Sequence, residues 1–199
     1  AQFPFQAWLP DSMVAISPVS AYLHAAAMVK AGIFLLLVFS PVLAGNPVWS
    51  ALLIGSGLIT ALLGAVSAIR RHDLKGLLAY STMSQLGLLV TAIGIGTPVA
   101  LTAAIVHTVA HALFKSALFL IVGVIDRQLS TRDVTELSGV GRQAPVMATA
   151  AFIAVASMAG VAPTIGFVAK ESTLTALLDD ALGGSVWGLV ALIGVALGS

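Results

Sequence analysis

The stretch Ala100–Val124, ALTAAIVHTVAHALFKSALFLIVGV, decides the fold. It is longer than the roughly 20 apolar residues a helix needs to cross a bilayer. Inside it stand His107, His111 and Lys115, spaced four residues apart. Each such step turns an α-helix by about 400° and raises it by about 6 Å, so the three groups form one stripe about 80° wide and about 12 Å deep. His111 falls near the middle of the apolar run, where a charge costs about 2.5–3.5 kcal/mol on insertion scales. A helix with only a structural task gains stability by losing such groups. Polar groups can hold neighbouring helices together. Three aligned titratable groups, two of them histidines that change charge near neutral pH, point instead to a proton or ion relay.

The rest of the chain has the same character. Of 199 residues, 59% are hydrophobic and 9% charged, against roughly 25% charged in soluble domains; the mean hydropathy is +1.06. The chain reads as an all-α integral membrane protein. A net charge of +1 points to no nucleic-acid partner. The absence of cysteine rules out disulfides, iron–sulfur ligation by this chain and cysteine-bound zinc. No signal peptide is visible. The chain opens on Ala1 and closes on LIGVALGS, inside an apolar run too short to cross a bilayer. It is expected to be an internal piece of a longer polypeptide, with about six transmembrane segments.

In order, Ala1–Pro18 carries three prolines and makes a poor continuous helix, with Trp8 suited to an interface and Asp11 expected to cap the following helix. The first crossing is expected at about 19–39 and contains His24 and Lys30, which do not share a helical face. Pro41, Gly45, Asn46 and Pro47 read as a turn. A second crossing at about 48–69 has no charge, and its Gly55, Gly57 and Gly64 permit close packing. After the basic loop Arg70–Lys75 come a third crossing at 76–96, with Ser81, Thr82, Ser84 and Gln85 near its start, and the His/His/Lys crossing at 98–124. A polar loop, 125–144, leads to a fifth segment at 145–180, and a truncated sixth occupies 185–199. The fifth is expected to break near 160–166, where GVAPTIG combines Pro163 with two glycines. Breaks of this kind mark ion pathways in transporters, and Lys170 and Glu171 follow closely; a plain proline kink with an interfacial Lys-Glu pair is the simpler alternative.

The nine Lys and Arg divide cleanly. Arg70, Arg71 and Lys75 lie in one loop, Arg127, Arg132 and Arg142 in another. Two crossings separate these loops, so both should lie on one side, which the positive-inside rule makes cytoplasmic. Lys30, Lys115 and Lys170 lie within three different apolar segments, as do His24, His107 and His111 within theirs. Such groups form a polar file across a bundle. A lysine in low dielectric and a histidine can both exchange protons near neutral pH, and a charge arriving at one site can expel a proton from the next. The i,i+4 spacing of His107 and His111 can also chelate a metal, but the helix offers no carboxylate and Lys115 repels cations, so no metal site is expected. No catalytic constellation and no phosphate-binding glycine loop is visible, and the chain is expected to be a transporter rather than an enzyme, without cofactors.

The stretches FPFQAWLPDSM, PVSAYLHAAAMVKAG, DLKGLLAYSTMSQLG, HTVAHALFKSALFL and GFVAKE, in this order, resemble the antiporter-like proton-translocating membrane subunits. These include the large (A) subunits of Mrp-type cation/proton antiporters and the pump subunits of respiratory complex I. The resemblance covers nearly the whole chain and implies a polytopic bundle of two inverted repeats, each with a broken helix. It implies pathway roles for His24, for His107, His111 and Lys115 at the centre, for Lys170 near the proton exit, and for the adjacent Glu171. Lys75 matches a bridging lysine, although a topogenic loop charge reads equally well. The family's essential glutamate and first broken-helix lysine should lie upstream of Ala1. MVKAG, with Lys30, and the loop VGVIDRQLSTRDVTEL favour the Mrp type. The expectation is a proton-translocating subunit of a monovalent cation (Na+)/proton antiporter, multi-pass in the inner (plasma) membrane, working with other membrane subunits of a hetero-oligomer. The alternatives are an inert structural bundle and a pump subunit of complex I.

Overall fold

A computed structural model describes residues 2–137 and 139–191. Among them the chain is helical: α1 Trp8–Asp11, α2 Ser17–Ser20, α3 Met28–Leu43, α4 Pro47–Ile69, α5 Leu74–Ile95, α6 Pro98–Leu129, α7 Val140–Gln143, α8 Pro145–Ala159 and α9 Ile165–Leu182. Four stretches are long and apolar enough to cross a membrane: Ser17–Leu43, α4, α5 and α6. Residues 186–191 begin a further helix, and the remainder of the truncated sixth segment, 192–199, lies outside the described residues.

The boundaries differ from the sequence reading where polar residues cap or extend helices. Lys75 is in the first turn of α5, not in a loop, because Asp73 caps that helix by accepting a hydrogen bond from Gly76 N at 2.7 Å. Helix α6 outlasts its apolar run and carries Asp126 and Arg127 before Ser130 ends it in the left-handed region. Pro41 lies inside α3, which ends only at Leu43, rather than in the turn. Asp11 makes no capping bond; it closes the short α1 with an exposed side chain.

Helices α4 and α5 pack backbone to backbone. A Cβ on Gly87 would fall 2.5 Å from Ala61 N and Gly57 O, and one on Gly64 would fall 2.5 Å from Ser84 N. Only glycines permit that approach. This pairing leaves α5 almost wholly enclosed: Leu86, Leu89, Val90 and Ile93 meet Leu9, Val29 and Ile33 on one side. Leu78 and Ala79 meet Leu118, Phe119 and Val122 on another. Helix α6 touches α5, α8, α9 and the turn after α2, and so stands at the centre of the elements that carry the polar file.

The two basic loops join. Leu74 N donates to Arg132 O and Val134 N to His72 O, each at 3.0 Å, in a short antiparallel bridge between Asp73 and Asp133. Asp133 also accepts from the Thr135 hydroxyl and amide, which hold its carboxyl below the ordinary range. The loops therefore lie at one end of the bundle. Cysteines placed at the exposed Arg70 and Arg142 should both react with an impermeant thiol reagent from the cytoplasmic side; labelling of one from each side would overturn this topology.

Candidate functional site

His24 lies in a single π-helical turn, Ala21–Ala26, where Ala27 N reaches back five residues to Tyr22 O at 3.0 Å. Such one-turn expansions recur at functional sites. The turn carries the His24 ring into the interior, between Trp8 and Phe119. Its Nε2 meets the Ser12 hydroxyl at 3.1 Å, and that hydroxyl donates onward to Leu9 O. The slip in helical register ends at Ala27, whose carbonyl accepts from both Lys30 N and Ala31 N. The Lys30 amine folds back onto the carbonyl of Ala25. His24 and Lys30 thus serve different partners.

On α6, the three titratable residues are all buried, yet they do not bond to one another. His107 Nε2 meets Gln85 Oε1 on α5 at 2.8 Å. The Lys115 amine is fully buried and donates to the Leu78 carbonyl at 3.3 Å and to the Ser81 hydroxyl, both on α5. His111, between them, has neither ring nitrogen paired among the described residues; it packs edge-on against Phe114 with ring centres 5.4 Å apart. Lys115, Lys30 and His107 all stand close enough to His111 to act on it electrostatically.

Ser81 and Gln85 are the site residues that charge-based reading leaves without a role. The signal that could find them is their own i,i+4 spacing. An antiparallel neighbour with polar groups four apart can meet Lys115 and His107 in reverse order, and that is the register observed.

At the break, α8 ends at Ala159 and Gly160 turns into the left-handed region, φ +82°. Helix α9 restarts after Thr164, so the irregular part is 160–164 and Gly166 belongs to the second half. The half-buried Lys170 reaches back under Gly160 and donates to Ala159 O at 3.0 Å. A cation at this position satisfies a carbonyl that the broken helix leaves open and suits the negative end of the helix dipole. Gly166 N donates to the Ser157 hydroxyl at 3.2 Å, pinning the two halves together. Between His107 and Lys170 lies a small void, about 150 Å³ and too tight for a water molecule, bounded by Gln85, Phe114, Ser157 and Met158. Glu171 points elsewhere: exposed, it lines a cleft with Pro98, Thr102 and Thr175.

Lys75 sits at the other end. Its side chain is only 2% exposed, and its amine donates to the Ala15 carbonyl at 3.0 Å. Among the described residues, no cluster of His, Asp or Glu is arranged to hold a metal.

Residues 1–198 match the transmembrane family described as NADH:quinone oxidoreductase/Mrp antiporter. The large (A) component of the Na(+)/H(+) antiporter of Alkalihalophilus pseudofirmus is 49% identical over 192 residues, which cover 89% of this chain and 24% of that protein. A probable K(+)/H(+) antiporter component of Rhizobium meliloti, of the fused A/B type, is 53% identical over 171 residues, covering 86% of this chain and 17% of that protein. The Mrp complex from Dietzia sp. superposes with a TM-score of 0.87 at 29% identity, over all of this chain and 37% of the matched one. The membrane-bound sulfane sulfur reductase, an archaeal respiratory membrane complex, gives 0.83 at 26% identity, over all of this chain and 41% of that one. The chain thus spans about a quarter of the length of a curated relative such as the Alkalihalophilus protein. Its motifs, its broken helix and the match over almost its full length agree, and the chain belongs to the transmembrane family of NADH:quinone oxidoreductase and Mrp antiporter subunits.

Proposed function

We propose that this chain is the central part of a proton-translocating subunit in a multi-subunit monovalent cation/proton antiporter of the bacterial inner membrane. Protons pass along the interior file of His24, Lys30, Lys75, His107, His111, Lys115 and Lys170, with Glu171 at the cleft beside the broken helix. The observation that carries this reading is His111: both its ring nitrogens are buried without a partner among the described residues, between Lys115 and His107. Leaving a buried polar atom unpaired costs about 1–3 kcal/mol. A group with only a structural task has no reason to bear that cost, whereas a relay group must be free to bond first to one neighbour and then to the next.

The neighbours suit such a role. Each of the amines and each of the other two interior histidines already has one hydrogen-bond partner, a carbonyl, hydroxyl or amide oxygen, so the charged or neutral form can be held locally. The tight void between His107 and Lys170 makes a natural valve, since a proton crosses it only after Phe114 or Met158 moves to admit water. The cation is sodium on this reading, as in the name of the Alkalihalophilus relative; the Rhizobium relative makes potassium the competitor in the test.

In everted vesicles carrying the complete complex, addition of sodium should collapse an imposed pH gradient. His111→Leu should remove most of that response while leaving the complex assembled. Gradient formation driven by NADH oxidation, with no response to sodium or potassium, would assign the chain to a redox-driven pump. A full response in His111→Leu would leave only a structural bundle.

A further inference from the structure

We propose that Arg132 is a positioning residue for Lys75, fixing the geometry at the basic mouth of the file and setting the charge that the buried amine faces. The inference rests on the pathway reading above and adds to it a residue from the loop. Arg132 is held twice over. Its carbonyl accepts from Leu74 N at 3.0 Å, beside Lys75 itself. Its guanidinium Nε lies 3.4 Å from the Asp73 carboxylate and 3.8 Å from that of Asp126. Asp73 in turn caps α5, whose first turn carries Lys75, and Asp126 sits in the last turn of α6. One side chain therefore ties the start of α5 to the end of the helix that carries the central stripe.

The same residues border open space. A cavity of about 860 Å³ opens at this end of the bundle, lined by Ala15, Ser17, Lys75, Asp126, Arg127 and Arg132 among others. The charges bearing on the Lys75 amine are Arg132, Asp126 and Asp73. His72 acts instead on Asp133, and the segment 12–18 packed over the amine contributes no charged side chain, only the Ala15 carbonyl. Exposed ion pairs of this kind add little to stability, about 0–1 kcal/mol. A contribution to the fold is therefore a weak reason for the arrangement. Its electrostatic effect on a buried amine is the stronger one, because a charge nearby is poorly screened when one partner is buried.

The test is the pH profile of cation-driven proton movement by the complete complex in vesicles, read beside assembly on native gels. Arg132→Gln removes a positive charge, favours the protonated amine and should move the alkaline limb up by about half a pH unit, a typical size for one partly screened charge. Asp126→Asn should move it down by a similar amount. The double variant Arg132→Gln/Asp126→Asn should return it to the wild-type position, and Arg132→Lys should hold it there. A clasp with only a structural task gives the opposite pattern: less assembled complex in every variant, with the limb unmoved, and that result overturns the proposal. If Lys75→Ala leaves exchange intact, it is the pathway role of Lys75 that fails, which is a separate failure from an unmoved limb in Arg132→Gln.

Discussion

Replacing Lys115 by alanine in the complete complex should abolish cation-driven proton movement while the complex still assembles. The amine is fully enclosed and donates to the Leu78 carbonyl and the Ser81 hydroxyl. That carbonyl already accepts from Thr82 Oγ1 at 2.8 Å, so losing the lysine does not leave it bare. The structural penalty of the substitution is thus mainly the emptied volume, about 2–5 kcal/mol for a large buried side chain. Lys115→Met refills most of that volume without the charge and separates the two effects. It should assemble like wild type and still carry no flux. Lys115→Arg should fail as well, because arginine stays protonated at any working pH and its planar fork does not fit a site shaped for one small ammonium. A lysine that served only as a tether between α5 and α6 would respond differently. Arginine would largely rescue it, and methionine would lower assembly together with flux. Flux in vesicles measured beside native gels separates the outcomes, and wild-type flux in either Lys115→Arg or Lys115→Met would refute the relay role.

Hydropathy and charge made the helices and the titratable groups legible, because an apolar run long enough to span a bilayer and a lysine inside it are both costly to hold by accident. The partners of those groups were not legible in the same way. Ser12, Ser81 and Gln85 look like ordinary helix surface residues until a neighbouring helix is placed against them. The stripe on α6 invited the expectation that Lys115 and His111 would serve each other; each instead turns to its own surroundings, since Leu78 O and Ser81 offer the amine acceptors that a neighbouring histidine offers less well. Lys75 was ambiguous for a local reason. A cluster of basic residues reads as a loop, but the Asp73 side chain caps α5 just before it and draws the lysine into the bundle. The π turn at His24 had no signature at all: AYLHAAA has strong helix formers throughout, and the widening arises from packing rather than propensity. At the break, proline and glycine marked the place, but which glycine sits in the irregular stretch and which lies within α9 depended on the contact with Ser157.

That contact sets the other large expected effect. Gly166→Ala should cost more than any other single methyl added to this segment. A Cβ at Gly166 would overlap the backbone carbonyl of Ser157, and its nearest neighbours also include the Ser157 hydroxyl. Backbone on a neighbouring helix cannot rotate away, so α8 and α9 must separate. Overpacking in a tight core typically costs about 1–3 kcal/mol, and a clash with main chain belongs at the upper end of that range. Gly160→Ala offers the contrast. There the backbone is left-handed, φ +82°, which costs about 1–2 kcal/mol for a residue with a Cβ; but the atom in the way is Lys170 Cδ, part of a flexible side chain that can move. Ser157→Ala provides a third point. It removes the hydroxyl that accepts from Gly166 N, at a cost of about 0.5–1.5 kcal/mol, and keeps the two halves close. The expected order of thermal destabilisation of the complex is therefore Gly166→Ala first, Gly160→Ala second and Ser157→Ala last. Flux should show a different order. Gly160→Ala displaces the Lys170 side chain itself, while Ser157→Ala leaves Lys170 on the Ala159 carbonyl, so the glycine variant should lose flux far beyond its loss of stability. A complex carrying Gly166→Ala that melts with the wild type would mean that α8 and α9 are not held this closely, and the position given to Lys170 at the break would fall with them.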